Sequence, residues 1–554
     1  MTRTRLFASA LAALTLTACP KSMPGEPHTV VFAARRIHTL NPGQPTAQAL
    51  VMKGGTIIYV GSREDALDVA GSGASVEDFP DSIIVPGLVD AHGHLASLGR
   101  ALALADLSTA KSEADAIARV KRAGDSTLQG EWVVGRGWDQ NDWAGRQWPS
   151  RATLDSAFAG QPVYLTRVDG HAAWVSSKAL ALAGITRATQ DPPGGRLLRD
   201  EKGEPTGILI DNAMDLVAAK VPAPTKQAQQ KRLKLALETC ARLGLTSVHD
   251  AGMDLETFRQ LQQWDMGGVL PVRVYAMADG QGPQADEFLG LGLFKGQRLE
   301  MRAVKFLLDG ALGSRGAALH QPYSDEPAQS GLLLLEPDAL AAKAKAFSER
   351  GFQVAVHAIG DRANTLTIDA LEALEKAKPG GRHRVEHAQV LTKEDLARLG
   401  KDGLIASFQP THATSDLPWA EARLGPERVK LAYAWKAVLE AGGKVAFGSD
   451  FPVEDPNPLW GLYAARTRQD HASQPSGGWL PEQKLSGEEA LAGFTTGAAY
   501  ASFSEGRRGM LKTGYDADFV VLPLDPISDP PDGLLTAKVQ VTVVDGVDVY
   551  RAQP

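Results

Sequence analysis

Short apolar runs alternate with helical stretches through the middle of the chain, while clusters of β-rich runs stand at both ends. Eight middle runs read as strands: Ile83-Ile84-Val85 continuing to Val89, Thr246–His249, Val272–Tyr275, Val304–Leu308, Gln353–His357, His383–His387, Leu404–Phe408 and Lys444–Gly448. Strands separated by helical stretches are the pattern of βα units and a parallel sheet. Eight such units close a (β/α)8 barrel. The predicted fold class is therefore α/β, a TIM barrel over residues 83–507. Residues 100–243 fit no single βα unit. They hold Trp132, Trp138, Trp143, Trp148 and Trp174, five of the ten tryptophans, which predicts an ordered cap inserted after the first strand.

At the ends the runs are too few to make a stable sheet separately. Thr29–Ala33, Ala49–Met52 and Thr56–Val60, the last two joined by a Gly54-Gly55 turn, face Asp518–Leu522 and Val539–Val544 with its Asp545-Gly546 turn. Pairing the termini, residues 28–82 with 508–554, gives one small β-sandwich. Ahead of it, Arg3 and Arg5 precede an apolar stretch from Leu6 to Ala18, shorter than the roughly 20 residues a bilayer span needs. Residues 1–18 read as a signal peptide and 19–27 as a linker. Leu16-Thr17-Ala18-Cys19 resembles a bacterial lipobox, which implies cleavage before Cys19 and a lipid on its thiol. The expected product is exported and anchored to a bacterial membrane, facing the periplasm or the cell surface.

Composition narrows the picture. With 554 residues, 44% apolar and 22% charged, the chain can bury a large core, and a net charge of −7 without long basic runs argues against a nucleic-acid partner. Cys19 and Cys240 are the two cysteines, so no disulfide framework is expected, and Cys240 reads as a small core residue. An oligomer is compatible with all of this.

Candidate chemistry sits at strand ends. Asp90-Ala91-His92-Gly93-His94 closes the first run. Alternate residues of a strand share a face, so His92 and His94 can meet one ion, and imidazole suits zinc and similar divalent metals. His357, His387 and Asp450 each stand at the C-terminal end of another run, the end where barrel active sites lie.

These motifs carry a family resemblance across nearly the whole mature chain. Val85–His94 is similar to the opening motif of the amidohydrolase superfamily. Val304–Arg315, Val356–Ala363, Arg384–Ala388 and Phe447–Glu454 resemble its family 3 branch, which includes N-substituted formamide deformylases. So do Gly135–Asp139 and Arg167–Ala172 in the insertion. Ala311 and Gly316 depart from the pattern, standing where hydroxyl residues are expected.

The resemblance implies one or two divalent cations, zinc the expected metal. His92 and His94 would hold the first, and His357 and His387 the second. Lys305, carboxylated on its amine, would bridge them, and Asp450 would touch the first metal and handle the proton. Physical chemistry agrees: a protonated amine is no ligand, a carbamate offers two oxygens, and an unpaired charge in an apolar strand is costly. Cation binding lowers the pKa of water to about 7, supplying metal-bound hydroxide to attack a carbonyl. Asp450 would then pass the water proton to the leaving nitrogen.

His171, Trp138 and His412 are further candidates for contact with a small amide-type substrate. The implied activity is hydrolysis of a non-peptide carbon–nitrogen bond, formamide or N-acyl. Cyclic amides, carbamates and esters suit the same centre, and a non-catalytic ligand-binding surface lipoprotein is the alternative of another class.

Overall fold

The computed structural model describes residues 28–553 except 108, 125–131, 141–142, 168–171, 193–194, 223–224, 314 and 402. The expected signal peptide 1–18, Cys19, the linker 19–27 and His171 lie outside the described residues. Among the described residues no helix is long and apolar enough to cross a membrane.

Eight parallel strands run in chain order around one sheet: β1 (Leu88–Gly93), β2 (Leu245–Met253), β3 (Arg273–Asp279), β4 (Leu299–Leu307), β5 (Gln353–Ala358), β6 (Arg384–His387), β7 (Ile405–Phe408) and β8 (Lys444–Phe447). This is a nearly closed TIM barrel with helices outside it. At the seam between β8 and β1, the Asp450 N–H donates to the His92 carbonyl at 2.7 Å and the His94 N–H to the Phe451 carbonyl at 2.9 Å.

The strand pattern decides what points inward. On β4, Val304 and Phe306 join the core beneath the helices, while Ala303 faces Ala251, Tyr275, Met277 and Ala355 inside the barrel. Period-two alternation then sends Lys305 inward as well. On β5, Val354, Val356 and Ala358 pack outward, leaving Ala355 and His357 on the inner side. The small alanines leave room inside for these long polar side chains. Outside, the helix Asp361–Ala377 lays Ala363, Thr367, Ile368, Leu371 and Leu374 on one buried stripe. Burying each large aliphatic side chain of that kind contributes roughly 1.5–3 kcal/mol.

The terminal strands form one seven-stranded sheet. It curls until the two hairpin turns touch, with the Gly546 N–H donating to the Ala517 carbonyl at 3.0 Å and Gly55 packed on the Asp545 backbone. The expected run from Ile83 into Val89 is divided. Ile83–Val85 belongs to the strand Ser75–Pro86, which pairs with Thr29–His38 on one side and Phe519–Leu522 on the other. Pro86 cannot donate to a ladder, and the chain crosses into the barrel at Gly87.

The insertion has a six-stranded sheet of its own, from Ala105–Asp106 to Pro205–Asp211, and a separate core containing Trp138, Trp143 and Trp174. Its expected end at 243 is too late. The helix Lys226–Arg242 packs on the helix Leu95–Ala103 and on β2, so it belongs to the barrel wall.

Candidate metal centre

His92, Lys305 and His357 reach the barrel mouth by strand alternation, whereas His387 and Asp450 need a break in it. Glu386 already faces inward on β6, so an extended His387 would face out; a left-handed backbone at φ 72° turns it back. Asp450 follows β8 with φ 59°. The structure brings all six expected residues to one cavity of about 630 Å3, where His92, His94, Lys305, His357, His387 and Asp450 line the floor.

The distances are those of a shared site. Asp450 Oδ1 lies 3.0 Å from His94 Nε2 and 3.5 Å from His92 Nε2. Lys305 Nζ is 3.3 Å from the same His92 nitrogen. Ring centroids of His92 and His387 are 4.8 Å apart, and those of His357 and His387 4.5 Å.

Two of the imidazoles are aimed from behind. Glu386 Oε2 accepts from His92 Nδ1 at 2.5 Å, and Gln409 Oε1 accepts from His387 Nδ1 at 2.7 Å. With the proton fixed on Nδ1, each ring keeps a lone pair on Nε2. His357 Nε2 is buried with no hydrogen-bond partner among the described residues, and Asp309 Oδ1 is 3.4 Å away. Asp309 accepts the backbone N–H groups of Ala318, Ile359 and Gly360, which pins the loop beside His357.

Electrostatics favour neutral nitrogen donors. Burial, then the charge of Lys305, pushes His92 down to about 4, and burial pushes His357 down to about 3. Burial also carries His387 well below its ordinary value and lowers Lys305. Burial would raise the Asp450 carboxyl, but the His94 hydrogen bond and the neighbouring imidazoles outweigh it and hold it far below the usual range. Neutral imidazoles, an anionic carboxylate and an orphaned buried nitrogen make a donor set that fits a divalent cation. Ligand atoms of His92, His387 and Asp450 all lie within 4.8 Å of one another.

The other candidates divide. His412 lines the cavity, its ring stacked over His387 and its Nε2 3.8 Å from Asp450 Oδ2. Trp138 is a correction: it is fully buried in the cap core among Trp143, Trp148 and Trp174, and its indole N–H donates to the Leu165 carbonyl at 2.8 Å. An indole with no exposed surface and a satisfied N–H has nothing to offer a substrate. Sequence reasoning missed Arg384, Glu386 and Gln409 behind the imidazoles. The signal was present, because Arg384 and Glu386 stand two apart on one strand, on one face.

The sequence profile of the amidohydrolase family matches residues 76–550. The Bacillus subtilis (strain 168) protein YtcJ is 34% identical over 526 residues, covering 93% of this chain and 98% of its own. N-substituted formamide deformylase of Arthrobacter pascens is 26% identical over 534 residues, 93% of this chain and 97% of its own. The crystal structure of an uncharacterized metal-dependent hydrolase from Pyrococcus horikoshii superposes with a TM-score of 0.74 at 30% identity, over 91% of this chain and 99% of that one. This chain belongs to the amidohydrolase family and is a metal-dependent hydrolase.

Proposed function

We propose that the substrate is a small amide-type compound, a formamide or other N-acyl amine, cleaved at a non-peptide carbon–nitrogen bond. The observation that carries this reading is the gathering of four histidines, Lys305 and Asp450 on one cavity floor. His92 and His94 would hold one cation with Asp450, and His357 and His387 a second. Lys305, as a carbamate, would give an oxygen to each; zinc is the proposed metal. When bound, the cations supply Lewis acidity toward a carbonyl and an acidified water at neutral pH.

The chain's own groups do the rest. Asp450 Oδ1 is turned toward His92 and His94, which leaves Oδ2 toward His412 to take the water proton and return it to the leaving nitrogen. That return is required because an amide nitrogen leaves as an amine, not as its anion. His412 Nε2, with no hydrogen-bond partner among the described residues, would contact the substrate beside this carboxylate. Leu307, Leu312, Ile359 and Trp419 line the upper cavity and would exclude water from the acyl and amine substituents.

The test is a panel of formyl, acetyl and cyclic amides, carbamates and esters assayed with wild type and Asp450→Asn. Loss of the general base should lower kcat on the best amide by roughly 10³-fold while leaving bound metal mostly in place. A fully active, metal-loaded variant would remove Asp450 from its assigned role. Turnover of esters alone would overturn the amide assignment.

A further inference from the structure

The two imidazoles with visible support have unequal backing. Behind His387 stands a neutral amide, Gln409. Behind His92 stands a carboxylate with no exposed surface, Glu386, and behind that a guanidinium with none either, Arg384. Arg384 Nε lies 2.6 Å from Glu386 Oε1, and its Nη2 donates to Oε2 at 3.1 Å. The same guanidinium donates to the Ala91 carbonyl at 2.7 Å, to Ser407 Oγ at 3.0 Å and to His249 Nδ1 at 3.1 Å. One side chain on β6 thus fixes Glu386 against the backbone next to His92, and fastens both to β2 and β7.

A buried ion pair is a poor device for stability, since apolar side chains of equal volume serve as well or better. A carboxylate behind an imidazole does something an apolar residue cannot. It fixes the tautomer, orients the ring and strengthens Nε2 as a donor.

We propose that Glu386, clamped by Arg384, is a positioning residue for His92 that makes the His92 position the tighter of the cation sites. The proposal rests on the reading of the cavity as two cation sites, with His92 a ligand of one and His387 of the other. The Gln409 amide orients His387 without adding charge, so the His357–His387 position is the weaker site and the first to be emptied.

The experiment titrates metal-free protein with zinc against a competing chelator, comparing wild type, Glu386→Gln, Gln409→Leu and the double variant Arg384→Met/Glu386→Gln. The double variant removes both charges together, so it stays folded even if Glu386→Gln, which strands a buried guanidinium, does not. Thermal unfolding of the metal-free proteins checks this directly. The expected result is a loss of roughly 10–100-fold in affinity at the tighter step in the Glu386 variants, with Gln409→Leu acting on the weaker step. Cobalt loaded in place of zinc should show an altered visible spectrum in the Glu386 variants, which a purely structural role would not produce. A folded double variant with wild-type zinc affinity and cobalt spectrum would overturn the proposal while leaving the proposed function standing. Wild type that takes up a single zinc would overturn the ordering of two sites, and wild type that takes up no zinc or cobalt would overturn both readings.

Discussion

His387 and Asp450 hold left-handed backbone conformations, which cost a non-glycine residue about 1–3 kcal/mol each. The surroundings enforce that conformation at Asp450: its N–H is spent on the His92 carbonyl, and the preceding Gly448 is pressed on the end of β1. A Cβ at Gly448 would stand 2.5 Å from both Asp90 Oδ1 and the His92 backbone nitrogen. Asp90 is itself held by the Ser449 hydroxyl at 2.6 Å, so neither side can yield. Gly448→Ala should therefore cost about 1–3 kcal/mol of stability and reduce metal uptake; thermal unfolding and metal content check it. At this scale the convergence of the four histidines, Lys305 and Asp450 on one cavity could be expected, because each stands at or near the C-terminal end of a barrel strand. The support behind them could not, since the bond behind His92 joins it to Glu386, 294 positions away, and the one behind His387 crosses to the next strand's end at Gln409. Trp138 misled for a related reason: a tryptophan in a motif looks the same whether it faces a substrate or a core.

The strands show both what periodicity reveals and where it stops. Eight apolar runs were readable because barrel strands are buried on both faces. Which sheet a run joins was not: Ile83–Val85 looks like a barrel strand and lies in the terminal sheet, because its partners sit at residues 36–37 and 520–522. The helix Lys226–Arg242 was placed in the cap for want of any local mark of its neighbours. The start of β6 carries a pH prediction. His383 is buried, and its Nδ1 accepts the Val354 N–H at 2.9 Å, tying β5 to β6; burial pushes it down to about 4. Because the folded value lies below the unfolded one, near 6.5, its full stability is present above about pH 6.5. It is lost as pH falls toward 4, when the unfolded chain takes the proton first. The stability of metal-free wild type relative to His383→Gln should fall by about 3 kcal/mol between pH 7 and pH 4. Urea unfolding at the two pH values reads it, and a constant difference would contradict the assignment.

Across the whole molecule, barrel and terminal sheet are joined by charge as well as by packing. Arg273, buried at the start of β3, donates to Asp518 at 2.7 Å and 3.1 Å, reaches Asp516 at 3.4 Å and bonds Asp545 beside the closing turn. Burial would lower its pKa, but these three carboxylates hold it above the ordinary value. Arg273→Met leaves Asp516 paired with Arg508 and Asp545 with Arg298 but strips the buried Asp518 of its bidentate partner, and should cost about 3 kcal/mol in the unfolding free energy. A much smaller loss would mean that apolar contacts alone seat the terminal sheet. Pairing of the two ends could be expected from strand shortage at each, yet the single curled sheet they form depends on contacts that no local pattern records.

The barrel exists, on this account, to hold cations where Asp450 can move a proton beside them. Metal content and amide turnover measured on the same preparation, before chelation, after it and after zinc is restored, test this most directly. The account predicts one or two zinc ions per chain, turnover lost with them and recovered on their return. Unchanged amide hydrolysis by metal-free protein would contradict it.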